Sequence, residues 1–389
     1  MKLGLIGYGQ AGGKIVDAFL DYDVNTPGEF VRSAVAVNTA TTDLQGLEHV
    51  PEAQRVLVGQ TRVKGHGVGA DNDLGAEIAA DDIGEIQGAI DSMPIHEVEA
   101  FLIIAGLGGG TGSGGAPILA KHLKRVYNEP VYGLGILPAS DEGGIYTLNA
   151  ARSLQSFVRE TDNMLGFDND AWRKAGESME AGYARLNDEL VRRFGILFSA
   201  GEFVAGEEVG QNVVDSSEIV NTLAAGGVST VGYAGADLER NRGLLDRFRT
   251  DDGSTKDAAD RTTRITSLVR QATAGRLTLP CEVESAERVL LVVSGPPEEL
   301  DRKGIESARN WLEEQTDSLE VRGGDYPIPG EDRVAASVLL SGVTDVPRVK
   351  ALQRIAIETK DAMSENRARS QEDLQGLITD DGDELQPLF

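Results

Sequence analysis

Gly106-Leu107-Gly108-Gly109-Gly110-Thr111-Gly112-Ser113-Gly114-Gly115 follows the apolar run Ala100–Ala105 and leads into Ala116-Pro117 and an amphipathic stretch ending at Tyr127. The seven glycines in these ten residues let the backbone turn sharply and bring its N–H groups close to an anion, with Thr111 and Ser113 as added hydroxyl donors. A helix N-terminus placed after such a turn adds about half a positive charge. Pro117 fits near a helix start, where no ladder N–H is lost. A nest of this kind suits a di- or triphosphate.

Two more glycine-rich segments stand outward from it. Gly7-Tyr8-Gly9-Gln10-Ala11-Gly12-Gly13 lies between the strand-like Leu3–Ile6 and the helix-like Lys14–Leu20, and Gly65-His66-Gly67-Val68-Gly69-Ala70-Asp71-Asn72 precedes another helix-like segment. The first contains a G-x-G-x-x-G fingerprint, which with an acid at the end of the next strand would indicate a dinucleotide. That acid is missing, since Val37 is followed by Asn38-Thr39. A Walker A loop is absent as well: Tyr8 stands where its first glycine belongs and Ile15 follows Lys14 where Ser or Thr would hold magnesium. Phosphates would therefore be held mainly by backbone dipoles. Packing turns explain one such loop; three on one sheet edge point to a ligand.

Short apolar runs at Leu3–Ile6, Ser33–Val37, Gln54–Val58, Ala100–Ala105 and Val131–Leu137 alternate with helix-like Lys14–Leu20, Gly75–Ala80 and Ala116–Tyr127. This is the pattern of an open, mostly parallel α/β sheet with helices on both faces. Met179, Tyr183, Leu186, Leu190, Phe194 and Leu197 recur at helical spacing, and Ala171 to Leu197 contains no proline, so a long central helix is expected. The divisions read as a nucleotide-binding domain over 1–172, a central helix over 173–199, a smaller α+β domain over 200–363 and an acidic tail over 364–389. Residues 235–261 are charged, glycine-containing and poor in aliphatic periodicity, which reads as an exposed loop.

Composition narrows the function classes. The 389 residues carry a formal charge of -26, and only ten of the 37 basic residues are lysine. So acidic a surface is repelled by nucleic acid and anionic lipid and suits a salt-rich cytoplasm; an ordinary acidic protein is the plainer alternative. The single Cys281 and four scattered histidines predict neither a disulfide nor structural zinc, and the apolar runs are too short for a membrane span or signal peptide. A cytoplasmic location is expected.

Gly108-Gly109-Gly110-Thr111-Gly112-Ser113-Gly114 resembles the GGGTGSG signature of the tubulin/FtsZ superfamily of polymerising GTPases. Gly9-Gln10-Ala11 resembles its first nucleotide loop, continuing through Gly12, Gly13 and Lys14, and Gly69-Ala70-Asp71-Asn72 resembles the third. Glu142 resembles the ribose-contacting acid, Asn169 in Phe167-Asp168-Asn169-Asp170 the guanine-reading residue, and Tyr183 with Asn187 the aromatic and amide of the central helix. The whole chain is most similar to the CetZ group of haloarchaeal tubulin-like proteins. The resemblance implies GTP and GDP as ligands, with Mg2+ held mainly through phosphates and water, and Asn38 among the nucleotide contacts. It also implies head-to-tail filaments, lateral contacts through 235–261, a tail open to protein partners, and a role in cell shape.

Tyr183 and Asn187 are four apart and share a helix face, where the ring could stack on a purine and the amide meet its polar edge; core packing of Tyr183 is the alternative. Asp215 and Glu218, three apart in Val214-Asp215-Ser216-Ser217-Glu218-Ile219, read equally as acids capping a helix. The resemblance instead makes them the pair that enters the next subunit's site and positions water. Tyr146 stands where FtsZ usually has a basic residue, and either Asp71 or Asn72 matches the family Asn of the third loop, so the residue facing magnesium stays open. Two other functions stand against a GTPase: a Rossmann oxidoreductase using NAD, and a GTP-binding structural filament with negligible hydrolysis.

Overall fold

The computed structural model describes residues 1–174, 176–177, 179–202, 213–238, 254–316, 318, 320–355 and 357–358. Among them the strands are β1 (Leu3–Tyr8), β2 (Val31–Asn38), β3 (Arg55–Leu57), β4 (Ala100–Gly106), β5 (Val131–Leu137), β6 (Asn163–Asp168), β7 (Val228–Asp237), β8 (Arg288–Gly295), β9 (Glu320–Pro327) and β10 (Arg333–Ser341). The helices are α1 (Gly9–Asn25), α2 (Thr41–Gln45), α3 (Gln60–Val63), α4 (Asn72–Asp81), α5 (Ile83–Asp91), α6 (Thr111–Val126), α7 (Gly144–Glu160) and α8 (Asn169–Trp172), then α9 (Met179–Ser199), α10 (Ser216–Leu223), α11 (Ser254–Ala274) and α12 (Arg302–Thr316), with further helix at 347–355 and 357–358.

The ten strands form one sheet in the order β3-β2-β1-β4-β5-β6-β7-β10-β8-β9. From β3 to β6 every pairing is parallel, so all the turns that follow these strands lie on one edge. β7 joins β6 over only two residue pairs, Met164 with Val228 and Leu165 with Ser229, and then pairs antiparallel with β10 along most of its length. The parallel half is buried on both faces. Leu3, Leu5, Ile104 and Leu134 pack toward α1 and α9 on one face, while Ile6, Phe101 and Ile103 pack toward α4 to α7 on the other. Near-continuous apolar runs are what a two-sided sheet requires.

Several elements depart from the sequence reading. α1 begins at Gly9 rather than Lys14, because the helix start must pass against β4: a Cβ on Gly12 would lie 2.1 Å from the Ile104 carbonyl oxygen. β6 and α7 escaped the periodicity reading. In β6, Asn163 and Gly166 interrupt the apolar run, yet Asn163 is fully buried and donates to the Leu223 and Gly226 carbonyls and to Ser341. The central helix starts at Met179, not 173, and Ala171-Trp172 belong to the separate turn α8. Gly176 between them has φ +84°, a left-handed break that few other residues accept. At 235–261, residues up to Asp237 continue β7 and those from Ser254 open α11; the middle, 239–253, lies outside the described residues, as does the tail 364–389.

Candidate functional site

Two helix N-termini meet at the edge where β1 and β4 end. α1 follows β1 at Gly9 and α6 follows β4 at Thr111, and neither has a side-chain cap. The first-turn N–H groups of both helices therefore lack a partner within the chain's own capping chemistry. They are in contact: a Cβ on Gly9, whose φ is +75°, would sit 2.9 Å from the Gly112 nitrogen. α4, starting beside them, differs. Asp71 caps it by accepting from Leu74 N at 2.9 Å.

The glycine-rich loop Gly106–Gly115 closes over Gly65–Asn72. Gly110 lies so near the Asp71 backbone that a Cβ would be 2.8 Å from Asp71 N, and a Cβ on Gly114 would be 2.2 Å from the Asn72 carbonyl oxygen. Gly69 and Gly109 face open space instead. Ala70 holds φ 65°, a backbone conformation uncommon outside glycine. The expected cluster Gly9 to Gly13, Gly69 to Asn72 and Gly108 to Ser113 thus comes together at one place. Thr111 shares a hydrogen bond with Thr39, 2.7 Å between hydroxyl oxygens, tying the loop after β2 to the same corner.

Three of the expected contact residues have side-chain partners within the chain. The Ser113 hydroxyl is 2% exposed and donates to the Gly109 carbonyl, so it shapes the loop rather than offering a donor outward. Asn38 accepts from the N–H groups of Thr39 and Ala40 and donates to Asp43, shaping its own turn as Asx side chains do. Gln10 is exposed and donates to Asp43 at 3.3 Å, and Lys14 projects exposed from the second turn of α1.

The loops are held from behind by residues the sequence reading missed. Asn149 on α7 donates to the carbonyls of Ala70 (2.7 Å), Gly108 (3.0 Å) and Gly109 (3.3 Å), and Ser153 one turn on donates to Leu107 O at 3.2 Å. Both are buried. The available signal was a polar pair four apart on a stripe otherwise made of Ala150, Ala151, Leu154 and Phe157.

A second cluster lies beyond β5 and β6 on the same edge. Glu142 accepts from Ala139 N at 2.7 Å and from the Tyr183 phenol of α9. Burial and this carboxylate push the phenol up to about 12. Asn187 is half-buried one turn along α9. Asp168 caps α8 by accepting from Asp170 N, and Asn169, 6% exposed, opens that helix. Asp170 in turn accepts from the N–H and hydroxyl of Ser140, at 2.8 and 2.7 Å. Burial works against its charge, but these donors, with Arg348 and Arg173 nearby, hold its carboxyl below the usual range.

Asp215 and Glu218 lie at the opposite edge. Asp215 is the N-cap of α10, accepting from Glu218 N at 3.1 Å and Ser217 Oγ at 2.5 Å. The Ser217 hydroxyl is the main reason its carboxyl is held low; burial and the Asp215 charge push Glu218 up. Ser216 donates to Glu99, which immediately precedes β4 and also accepts from Lys2 N just before β1. Across the seven residues of β4, at about 3.3 Å each, these acids stand roughly 20 Å from the glycine loops. Capping, the plainer reading, describes what Asp215 does within the chain. It leaves the Glu218 carboxylate without a capping duty.

Known proteins resemble this arrangement along the whole chain. The Tubulin/FtsZ family GTPase domain matches residues 2–177, and the C-terminal domain of tubulin-like CetZ proteins matches 176–358. Tubulin-like protein CetZ1 of Haloferax volcanii is 66% identical over 373 residues, covering 94% of each chain. Its GDP-bound monomer superimposes with a TM-score of 0.84 at 64% identity, over 92% of this chain and all of that one. CetZ2 of the same organism, solved as a GTPγS-bound protofilament, gives 0.82 at 44% identity over 94% of this chain and all of that one.

Proposed function

The chain belongs to the tubulin/FtsZ family, among its tubulin-like CetZ proteins, and from that premise we propose that it binds GTP, assembles head to tail and hydrolyses GTP at the contact between subunits. The observation that carries the reading is the pair of uncapped helix N-termini, α1 and α6, facing one corner lined by Gly9, Gly108–Gly110 and Gly69. Backbone N–H groups there can meet phosphate oxygens without any side-chain cation. At the other cluster, Asn169 and Asn187 would read the purine while Tyr183 stacks on it and Glu142 meets the ribose. β1, β4, β5 and β6 are successive neighbours in the sheet, about 4.8 Å apart each, so one nucleotide lying across their ends would reach both clusters. The GDP-bound CetZ1 supports this ligand class.

Among the described residues no three His, Cys, Asp or Glu side chains converge as metal ligands. A magnesium ion would be bound chiefly by phosphate and water, with Asp71 or Asn72 beside it, and would neutralise charge on the terminal phosphates. Asp215 and Glu218 would supply the water-positioning carboxylates. They stand at the far edge, so within one subunit they cannot reach the phosphates. A second subunit stacked with its acid-bearing edge on the glycine loops brings the two halves together, and a contact of this heterologous kind propagates as an open filament. The protofilament formed by CetZ2 supports that geometry. We extend the proposal to a cytoplasmic role in cell shape, and to lateral contacts through 235–261 and partner binding by the tail. No helix among the described residues is long and apolar enough to cross a membrane.

GTP turnover per subunit, measured as protein concentration rises at high KCl, tests the central claim. Specific activity should climb above a threshold concentration. Constant specific activity would refute hydrolysis at the contact, and absence of turnover at every concentration would favour the structural filament.

A further inference from the structure

The purine end of the site is held by residues from the second half of the chain. Arg348, near the start of the helix that opens at 347, donates from Nη2 to the Pro138 carbonyl at 2.8 Å. Its Nε lies 3.6 Å from Asp168 Oδ1, is buried, and has no hydrogen-bond partner of its own. Pro138 opens the loop that carries Ser140 and Glu142, and Asp168 caps the turn that begins with Asn169. The far end of that turn is pinned too. Trp172 Nε1 donates to Leu277 O at 3.0 Å, and Arg193 and Arg276 lie 4.1 and 5.1 Å from its ring centre. Asp168 N donates to Thr278 O.

These contacts form a continuous chain. Arg348 touches the Pro138 loop and Asp168; Asp168 orders Asp170; Asp170 binds Ser140; and the same loop carries Glu142 to Tyr183. Arg348 is the member that meets both the loop and the α8 cap from outside. A planar guanidinium can hydrogen-bond the Pro138 carbonyl through Nη2 while its Nε side sets the charge beside Asp168, so one rigid group relates the loop to the cap; a lysine ammonium, a point charge on a flexible stem, does not impose that geometry.

We infer that Arg348 is a positioning residue for the purine end of the nucleotide site, holding Asn169 and the Glu142 loop in the arrangement that distinguishes guanine from related bases. The inference rests on the GTP reading above and adds to it a dependence of base selectivity on a residue of the second domain. The charge partner supports it: burial pushes the Asp168 carboxyl up to about 6, and Arg348 is the cation that opposes this.

The test compares dissociation constants for GDP and inosine diphosphate, which lacks the guanine 2-amino group, in the full-length protein and in Arg348→Gln, Arg348→Lys and Asp168→Asn. Asn caps helices as well as Asp does, so Asp168→Asn keeps the turn while removing the charge that faces Arg348. Arg348→Gln should weaken GDP about tenfold and lower the GDP preference over inosine diphosphate severalfold. Arg348→Lys should fall between it and the parent, and Asp168→Asn should move the preference in the same direction. Melting temperature is recorded alongside. Should Arg348→Gln fail to fold, the other two variants decide. Unchanged preference in the variants that fold, even with a lower melting temperature, would overturn the positioning role and leave Arg348 a structural bridge. A parent protein that binds no guanosine nucleotide, or does not tell GDP from inosine diphosphate, would overturn the reading of the site itself.

Discussion

At the C-terminal end of β4 the chain offers backbone: glycines, uncapped N–H groups, and buried Asn149 and Ser153 fixing the loop carbonyls. At its N-terminal end it offers side chains: an exposed Asp215, a half-buried Glu218, and a hydrogen bond from Ser216 to Glu99. The first edge suits an anion, and the one acid of its three glycine loops, Asp71, is engaged in capping α4; the second edge carries the acids Asp215 and Glu218. Phosphate and carboxylate repel each other, so separating them within one subunit lets GTP bind without that penalty. The proposed stacking then restores the juxtaposition only where hydrolysis is wanted.

The difference predicts opposite sensitivities. Of the substitutions that test it, Gly114→Ala should be the most damaging, because its Cβ would stand 2.2 Å from a backbone oxygen of Asn72 and 2.6 Å from Ala76 N, neither of which can swing aside. Loss of GTP binding with a fall in melting temperature is expected. Gly109→Ala sharpens the contrast: its Cβ meets nothing within 4 Å, so melting should be unchanged while GTP binds more weakly. Unaltered affinity in Gly109→Ala would show that the open space beside it is not the phosphate site.

At the other edge, Glu218→Ala should leave GTP affinity intact and cut turnover on the order of a hundredfold, with longer-lived filaments. Mixing it with a variant unable to bind GTP should restore part of the turnover, since that variant still lends its own Glu218. Full activity of Glu218→Ala, read by phosphate release, would break the comparison. Asn149→Ala should come next in size. Three loop carbonyls lose their shared donor, and a loss of about 1–3 kcal/mol in GTP binding is expected, measured by titration.

The smallest effect is a pH dependence. The Asp168 carboxyl is raised by burial to about 6 from an ordinary 3.8, with Arg348 opposing and the Asp170 charge adding. A folded-state value above the unfolded one means that the proton is bound more tightly in the fold. The stabilisation is full below about 4 and is lost as pH rises through 6. Asn at 168 does not titrate, so between pH 5 and 7.5 the stability of Asp168→Asn relative to the parent should improve by on the order of 1 kcal/mol in urea melts. A pH-independent difference would contradict the burial argument.

Legibility in the sequence followed the kind of group. Glycine loops after apolar strands could be read because no other residue type supplies that backbone freedom. Asn149, Ser153, Arg348 and Trp172 could not, since each acts through hydrogen bonds or charge contacts with residues more than thirty positions away in the chain. The intrachain partners of Ser113 and Asn38 were hidden for a related reason: a hydroxyl or amide in a glycine turn can bond its own backbone or a neighbouring side chain, and the sequence does not say which until the loop's shape is known. β6 was obscured by Asn163, whose burial makes sense only once Leu223, Gly226 and Ser341 surround it.

By itself the sequence determined the parallel α/β sheet, the three glycine loops, the central helix and the family, because periodicity and glycine placement are local properties written into neighbouring residues. Tertiary structure alone decided that α1 and α6 present their uncapped ends to one corner, that Asn149 of α7 and Arg348 reach the loops at that edge of the sheet, and that Asp215 and Glu218 lie at the opposite edge. Those relations depend on strand order and on which edge each connection reaches. A parallel sheet fixes them only when its strands are laid side by side.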